Sequence, residues 1–261
     1  MENQEEAIRL DLKTDREAVI EEALWCGIKP GMRVLDAGCG SGKTTSILHE
    51  LVQPGGSIVG IDYSKERIKY ARDHYGNEDS ITFCECDLRN NLSDCGTYDL
   101  IWVRFVLEYN RVESFDIVRN LTECLNPKGL LCLLDLDYNC LNHYELKPHV
   151  ESILKDIMSR VDAEFNFDTY AGRKLYSYLY DLNYRNISMH MKAHHLIYGK
   201  IKKEDTFNWI KKIEVAGRRL GDLFDTYPGG HKQLVADFRD FFLDPRRFTY
   251  TPLILCKGMK P

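Results

Sequence analysis

A glycine-rich segment near the start of the chain has the residue types and spacing that bind a nucleotide-like ligand. The segment 36–42 reads Asp-Ala-Gly-Cys-Gly-Ser-Gly, so three alternate glycines follow an acidic residue. A short apolar run precedes the acid, and a helix-like stretch follows the last glycine. A strand that enters a helix through such a loop presents backbone N–H groups and a positive helix end. The segment therefore predicts a ligand-binding loop, and the alternative is an ordinary tight turn.

Two nucleotide-binding patterns compete for this loop. A dinucleotide loop has the spacing G-x-G-x-x-G, but here the third glycine, Gly42, comes one residue early. The segment Ala37–Thr44 instead reads A-x-x-x-x-G-K-T, a relaxed form of the Walker A phosphate loop. The apolar run 130–135 ends in an acid, as a Walker B strand does. A P-loop NTPase or kinase is therefore an alternative for this chain.

The acidic residues that end the predicted strands favour a third kind of ligand. Asp36 would repel nucleotide phosphates, whereas it suits a ligand that carries an ammonium and a sulfonium group. Asp62 ends the second strand, where a carboxylate can accept both hydroxyls of a ribose. Asp87 ends the third strand, where it can accept the exocyclic amine of adenine while Leu88 covers the ring. Capping of a helix is an equal alternative for Asp87.

The first half of the chain alternates predicted strands and helices. Near-continuous apolar strands are predicted at 32–36, 57–62, 81–86, 98–103 and 130–134. Helices are predicted at 14–27, 43–52, 64–75 and 113–125, with Thr14 and Ser64 as the N-caps of the first and the third. This alternation is typical of a parallel sheet that is covered by helices on both faces.

The second half is richer in helices, and no linker or repeat divides it from the first. Helices are predicted at 148–163, 171–182, 203–224 and 231–243, and strands at 186–198 and 248–256. We therefore expect one domain, 1–261. Its cofactor-binding core covers about 14–137, and helical insertions for substrate or lid cover about 144–183 and 203–243.

Taken together, these residues resemble the class I (Rossmann-like) S-adenosylmethionine-dependent methyltransferases, and especially the small-molecule ubiquinone/menaquinone-type group. The first family motif matches Val34–Gly42, and the turn before the fifth strand matches Asn126–Gly129. The resemblance covers 14–137 well and the last strands in outline. It implies a doubly wound α/β fold, with a seven-stranded, mostly parallel sheet and an antiparallel last strand. The cofactor would lie over the carboxyl ends of the first strands.

The resemblance also implies which residues bind S-adenosyl-L-methionine and its product, S-adenosyl-L-homocysteine. Gly38 and Gly40 would approach the methionine part and Asp36 would order that region, while Asp62 would bind the ribose. Arg104 would flank the methionine part, and its alternative is a surface ion pair with Glu108. The expected cofactor-binding residues are Asp36, Gly38, Gly40, Ser41, Asp62, Tyr63, Asp87, Leu88 and Arg104.

Methyl transfer from a sulfonium needs alignment of the acceptor more than a protein nucleophile, so these motifs do not identify a catalytic residue. His143, after the fifth strand, is the candidate general base, and its alternative is a surface-loop histidine. The segment Val103–Val106 lacks the Asn/Asp-Pro-Pro-Tyr/Phe motif of DNA adenine methyltransferases and the metal-holding Asp of catechol-type enzymes. The expected acceptor is a small molecule, with an O, N or C acceptor atom. An inactive cofactor-binding scaffold or regulator is a further alternative.

The composition of the chain limits which partners and which cellular compartment we expect for it. Thirty-five basic against 40 acidic residues give a net charge of −5, which argues against nucleic acid as the partner. No apolar run approaches the ~20 residues of a membrane span, and the acidic start does not resemble a secretory signal.

Nine scattered cysteines predict reduced thiols in a cytoplasmic protein. The pair Cys84 and Cys86 lacks a second metal-binding pair, so no metal is expected. We expect a monomer or a homodimer.

Overall fold

The computed structural model describes residues 4–138 and 140–261. Its strands are β1 (Arg33–Ala37), β2 (Ser57–Asp62), β3 (Ile81–Glu85), β4 (Tyr98–Arg104), β5 (Leu125–Leu136), β6 (His143–Tyr144), β7 (Arg185–Tyr198) and β8 (Phe248–Met259). Its helices are α1 (Gln4–Lys13), α2 (Arg16–Cys26), α3 (Lys43–Val52), α4 (Lys65–Tyr75), α5 (Ser114–Glu123), α6 (Pro148–Glu164), α7 (Leu175–Asp181), α8 (Lys203–Arg219) and α9 (Gly230–Leu243).

The chain forms two compact units. Unit 1 comprises 1–135, 172–190 and 254–261, and unit 2 comprises 136–171 and 191–253. The predicted insertion 203–243 falls within unit 2, whereas the predicted insertion 144–183 is divided between the units at residue 172. The expectation of a single domain stays a prediction.

The sheet confirms the predicted doubly wound α/β class. Its strand order is β3-β2-β1-β4-β5-β8-β6, and β7 pairs with β8. The five strands from β3 to β5 are parallel, so their carboxyl ends lie at the same edge. In this register Asp36 of β1 lies opposite Gly60 of β2 and Trp102 of β4. The described part of the chain has eight strands rather than seven, because the two residues of β6 pair antiparallel with β8.

The core of unit 1 explains the near-continuous apolar strands. A strand that is covered on both faces must bury side chains of both orientations. Consecutive residues of β4, including Ile101, Trp102 and Val103, are accordingly almost completely buried. Helix α5 adds Ile117, Val118 and Leu121 to this core at helical spacing.

The first residues of α4 and α2 show how side chains cap the N-terminus of a helix. Ser64 caps α4 as predicted, since its side chain accepts a hydrogen bond from the N–H of Arg67. The predicted N-cap Thr14 is wrong by one residue: the Asp15 carboxylate accepts the N–H groups of Glu17 and Ala18 and so caps α2. The Thr14 hydroxyl instead donates to the carbonyl of Leu10, at the end of α1.

Unit 2 has its own core, formed by one face of each of its helices. Its largest buried side chains include Trp209 of α8 and Phe238 and Phe242 of α9. The predicted helix 203–224 ends early: α8 stops at Arg219 and a 3-10 turn covers Gly221–Thr226. Among the described residues, no helix has the length and apolar character needed to cross a bilayer.

Candidate functional site

Asp36 is a buried carboxylate at the carboxyl end of β1. The hydroxyl of Thr45, on the first turn of α3, donates a hydrogen bond of 2.6 Å to its Oδ2 atom. Burial raises the pKa of Asp36 to about 7, opposed by the hydrogen bond from Thr45, and the neighbouring charge of Asp62 adds to the increase. Near neutral pH this carboxyl is therefore divided between its charged and neutral forms.

Asp62 is the second buried carboxylate, at the carboxyl end of β2. Its Oδ2 accepts the N–H of Gly40 at 3.0 Å, so it is joined directly to the glycine loop. Its Oδ1 accepts the N–H of Ser64 at 2.9 Å, and Arg67 of α4 donates from Nε at 3.1 Å and Nη2 at 2.9 Å. This donor set holds the Asp62 carboxylate in one orientation beside the loop.

Gly38 can only be a glycine in this backbone. Its φ of +84° lies in the left-handed region, and a Cβ there would overlap the Cγ2 methyl group of Val106. The N–H groups of Gly38 and Cys39 both donate to the carbonyl of Ile61, at 2.7 and 2.9 Å. The loop therefore turns tightly over the end of β2 and keeps its backbone close to β4.

The N-terminal helix α1, which the sequence analysis did not predict, packs against the loop. Leu10 lies 3.3 Å from the place where a Cβ on Gly40 would stand, and Ser41 beside it is buried. The ammonium group of Lys43 donates to the carbonyl of Asp11 at 2.8 Å and lies 3.7 Å from its carboxylate. Lys43, the lysine of the Walker A-like pattern, thus holds α1 in place.

Arg104 ends β4 and is mostly buried. Its Nε donates 2.8 Å to the carboxylate of Glu22, on α2, rather than to the Glu108 that the alternative interpretation named. The side chains of Arg104 and Glu22 are 10% and 1% exposed. Glu22 is a residue that sequence reasoning missed, because nothing local distinguishes it from the exposed Glu21 beside it.

The end of β3 carries the predicted adenine-side residues. Asp87 forms an ion pair with Arg89, which lowers the pKa of the Asp87 carboxyl, and Leu88 is buried. No helix begins at Asp87: its carbonyl accepts the N–H of Asn90 in a turn. Tyr63, which follows β2, is half exposed, and its ring lies 5.1 Å from the guanidinium carbon of Arg67.

His143 lies in unit 2, on β6. Its Nε2 donates to the carbonyl of Cys140 at 3.1 Å, and its Nδ1 lies 2.8 Å from the hydroxyl of Thr249. Four aromatic rings meet its ring edge-on, with centroids 5.2–6.0 Å away; they belong to Trp209, Phe238, Phe241 and Phe242. Burial lowers its pKa to about 4, so this imidazole is neutral at physiological pH. Its assignment as a general base stays a prediction.

Within unit 1, the fold therefore assembles the glycine loop, two buried carboxylates and a buried arginine at one edge of the sheet. Over residues 4–138 and 140–261, no three His, Cys, Asp or Glu side chains are grouped closely enough to hold a metal ion. Cys84 and Cys86 are free thiols, and the Sγ of Cys86 lies 3.7 Å from that of Cys95. The groups that this edge of the sheet presents are carboxylates, backbone N–H groups and the guanidinium of Arg104.

Comparisons with known proteins show the family of this chain and its fold. A family described as "Methyltransferase domain" matches residues 28–206. The ubiquinone/menaquinone biosynthesis C-methyltransferase UbiE of Ectopseudomonas mendocina is 29% identical over 112 residues, which are 42% of this chain and 43% of that protein. The chain spans about half the length of the curated relatives it matches.

Two solved structures show the same fold. A Bacillus halodurans protein, provisionally described as a methyltransferase, has a TM-score of 0.59 at 13% identity, covering 94% of this chain and 99% of that chain. Coclaurine N-methyltransferase, bound to N-methylheliamine and S-adenosylhomocysteine, has a TM-score of 0.55 at 16% identity, covering 92% of this chain and 71% of that one.

Proposed function

Because the chain belongs to the methyltransferase-domain family, we propose that it transfers a methyl group from S-adenosylmethionine to a small-molecule acceptor. The observation that carries the proposal is the pairing of two buried carboxylates, Asp36 and Asp62, with a glycine loop at the ends of adjacent parallel strands. Carboxylates attract a cationic ligand that carries a ribose diol, and they repel a polyphosphate.

The chemical groups of the site match those of S-adenosylmethionine. S-adenosylmethionine supplies a methyl group on a positively charged sulfur, next to an ammonium group and a ribose. Asp36 provides the negative charge for the cationic end, and the backbone of Gly38 and Gly40 allows close approach. Asp62 is the acceptor for the ribose hydroxyls, with Tyr63 and Ser41 beside it. Burial of both carboxylates strengthens these interactions, because the local dielectric is low.

Two further elements complete the proposed cofactor site. Asp87 accepts the adenine amine and Leu88 covers the ring, at the end of β3. Arg104 flanks the methionine carboxylate, and Glu22 fixes its guanidinium group. Placing the arginine charge beside Asp36 also lowers the cost of ionising that carboxyl.

The alternative use of the loop as a phosphate site has less support. In a Walker A loop the lysine reaches the β- and γ-phosphates, but here the ammonium group of Lys43 is engaged by Asp11. Asp36 also places negative charge at the end of β1, beside the loop that would receive the phosphates.

The expected compartment is a reducing one, such as the cytoplasm. All nine cysteines are free thiols, and they include the adjacent pair Cys86 and Cys95. Burial raises the pKa of Cys86 to about 12, so its thiol stays protonated. We also propose that the partner is a small molecule rather than nucleic acid, and that the protein acts as a monomer or homodimer.

Isothermal titration calorimetry with S-adenosylhomocysteine and, separately, with Mg-ATP tests the proposal. We expect saturable binding of S-adenosylhomocysteine and no comparable binding of ATP. Tight ATP binding without a response to S-adenosylhomocysteine would overturn it. An assay of S-adenosylhomocysteine release with a panel of phenols, amines and activated carbon acids then separates an enzyme from an inactive cofactor-binding scaffold.

A further inference from the structure

Thr45 is a buried residue next to the glycine loop whose hydroxyl donates a hydrogen bond to the Asp36 carboxylate. The side chain is completely buried on the first turn of α3, and its Oγ1 donates 2.6 Å to Asp36 Oδ2. Its neighbour Thr44 is only partly buried. A short hydrogen bond to a buried carboxylate is of the charge-assisted kind, which is stronger than a neutral one.

This bond leaves the two oxygens of Asp36 in different situations. No hydrogen bond from the described residues reaches Oδ1, whereas Oδ2 is held by Thr45. A fixed Oδ2 limits rotation of the carboxyl group about its Cβ–Cγ bond. Oδ1 is therefore the atom that can accept a hydrogen bond from, or pair with, a cationic ligand.

The charges that face Asp36 make its ionisation depend on this bond. Asp62 opposes ionisation and Arg104, itself paired with Glu22, favours it. Burial raises the pKa of the Cys39 thiol, and the charges of Asp36 and Asp62 add to the increase. Arg67 forms an ion pair with Asp62 at 2.9 Å. With burial raising the pKa of Asp36 to about 7, loss of the Thr45 donor would raise it further.

We propose that Thr45 is a positioning residue for cofactor binding, which fixes Asp36 Oδ2 and keeps Oδ1 charged and oriented toward the cationic end of S-adenosylmethionine. This inference rests on the proposed function. Under this inference Thr45, the second threonine after Lys43, takes part in binding a cation rather than a phosphate.

The test compares Thr45→Val, Thr45→Ser and the matched control Thr44→Val. The dissociation constant of S-adenosylhomocysteine, which keeps the ammonium group, is measured by calorimetry between pH 5.5 and 8.5. We expect Thr45→Val to bind about tenfold more weakly at pH 7, with the midpoint of its pH profile about one unit higher. Thr45→Ser should restore both values, and Thr44→Val should match the wild type.

A double-mutant cycle separates positioning from a structural effect. If Thr45 acts through Asp36, the tenfold effect of Thr45→Val disappears in an Asp36→Ala background, which has no acceptor for the Thr45 hydroxyl. An undiminished effect there, or a Thr45→Val pH midpoint equal to that of Thr44→Val, would overturn the inference. If Thr45→Val does not fold, Thr45→Ala is measured in the same cycle. Failure of the proposed function is distinguishable, because the wild type itself would then not bind S-adenosylhomocysteine.

Discussion

The Cγ2 methyl group of Val106 occupies the space into which a Cβ on Gly38 would project. Val106 follows β4 by two residues, and Gly38 follows β1 directly, so neighbouring strands bring these two positions together. The contact links the glycine loop to the segment after β4, which begins with Phe105 at a φ of +58°. The loop thus has its shape because of both its own glycines and the packing behind them.

Gly38→Ala should destabilise the protein by about 3 kcal/mol, because it combines a left-handed backbone with overpacking against Val106. Gly55→Ala is a matched control: its φ is +83°, but no atom lies within 4 Å of the Cβ position. It should cost only about 1 kcal/mol. Adding Val106→Ala to Gly38→Ala should relieve part of the overpacking. Urea denaturation measures all three, and equal losses for Gly38→Ala and Gly55→Ala would refute the packing argument.

Asp62→Asn should weaken S-adenosylhomocysteine binding by about 1–3 kcal/mol, since the ribose would lose a charged acceptor. The substitution keeps the volume of the side chain, so thermal unfolding should still show a cooperative transition. Asp73→Asn is the control, because Asp73 pairs with the exposed Lys69 on α4. If calorimetry finds that Asp62→Asn binds S-adenosylhomocysteine with unchanged affinity, the ribose lies elsewhere.

Asp36→Asn should stabilise the ligand-free protein at pH 8 and not at pH 4. The folded state raises the pKa of Asp36 from 3.8 to about 7, so the folded protein holds this proton more tightly than the unfolded chain does. The contribution of Asp36 to stability is therefore greatest below pH 3.8 and falls as the pH rises toward 7, by up to about 4 kcal/mol. Asn avoids this loss and still accepts the Thr45 hydroxyl.

Chemical denaturation of wild type and Asp36→Asn at pH 4, 6 and 8 measures this difference. The same variant should bind S-adenosylhomocysteine more weakly at pH 8, because it lacks the charge. A stability difference that does not change with pH would contradict the assignment of the titration to Asp36.

Glu22→Gln should cost about 3 kcal/mol of stability, because it leaves the buried guanidinium of Arg104 without its carboxylate. Glu21→Gln, at the exposed neighbouring position on α2, should change stability by less than about 0.5 kcal/mol. Thermal unfolding of the wild type and of both variants measures these differences in stability. Equal melting temperatures would mean that the Glu22–Arg104 pair does not contribute.

His143 should make the protein less stable in acid. Its folded pKa of about 4 lies below the ordinary 6.5, so its contribution is complete above pH 6.5 and is lost as the pH falls toward 4. His143→Gln should show a smaller loss of stability between pH 7 and pH 4.5 than the wild type. If His143 is also the general base, this variant loses kcat while its affinity for S-adenosylhomocysteine is unchanged. If kcat per folded molecule is unchanged, its role is confined to packing.

The sequence by itself determined the elements around the glycine loop. The apolar run into Asp36, the helix from Lys43 to Val52 and the acid at the end of β2 lie where they were predicted. These features depend on local signals: continuous apolar runs, glycines and an N-cap such as Ser64. Because parallel strands end at one edge, the order of the elements alone predicts that Asp36 and Asp62 lie near the same loop. The short helix α1 and the two-residue strand β6 lacked such signals and were missed.

The tertiary structure alone decided the partners of these residues. The pairing of Arg104 with Glu22 joins positions 82 residues apart, and only the packing of α2 selects Glu22 over Glu21. Other contacts likewise join distant segments of the chain. Leu10 lies against Gly40, Val106 lies against Gly38, and His143 packs among four aromatic rings. Local periodicity specifies which face of an element is buried but not what it meets. The ionisation of Asp36 depends on burial and neighbouring charge, which exist only once the chain has folded.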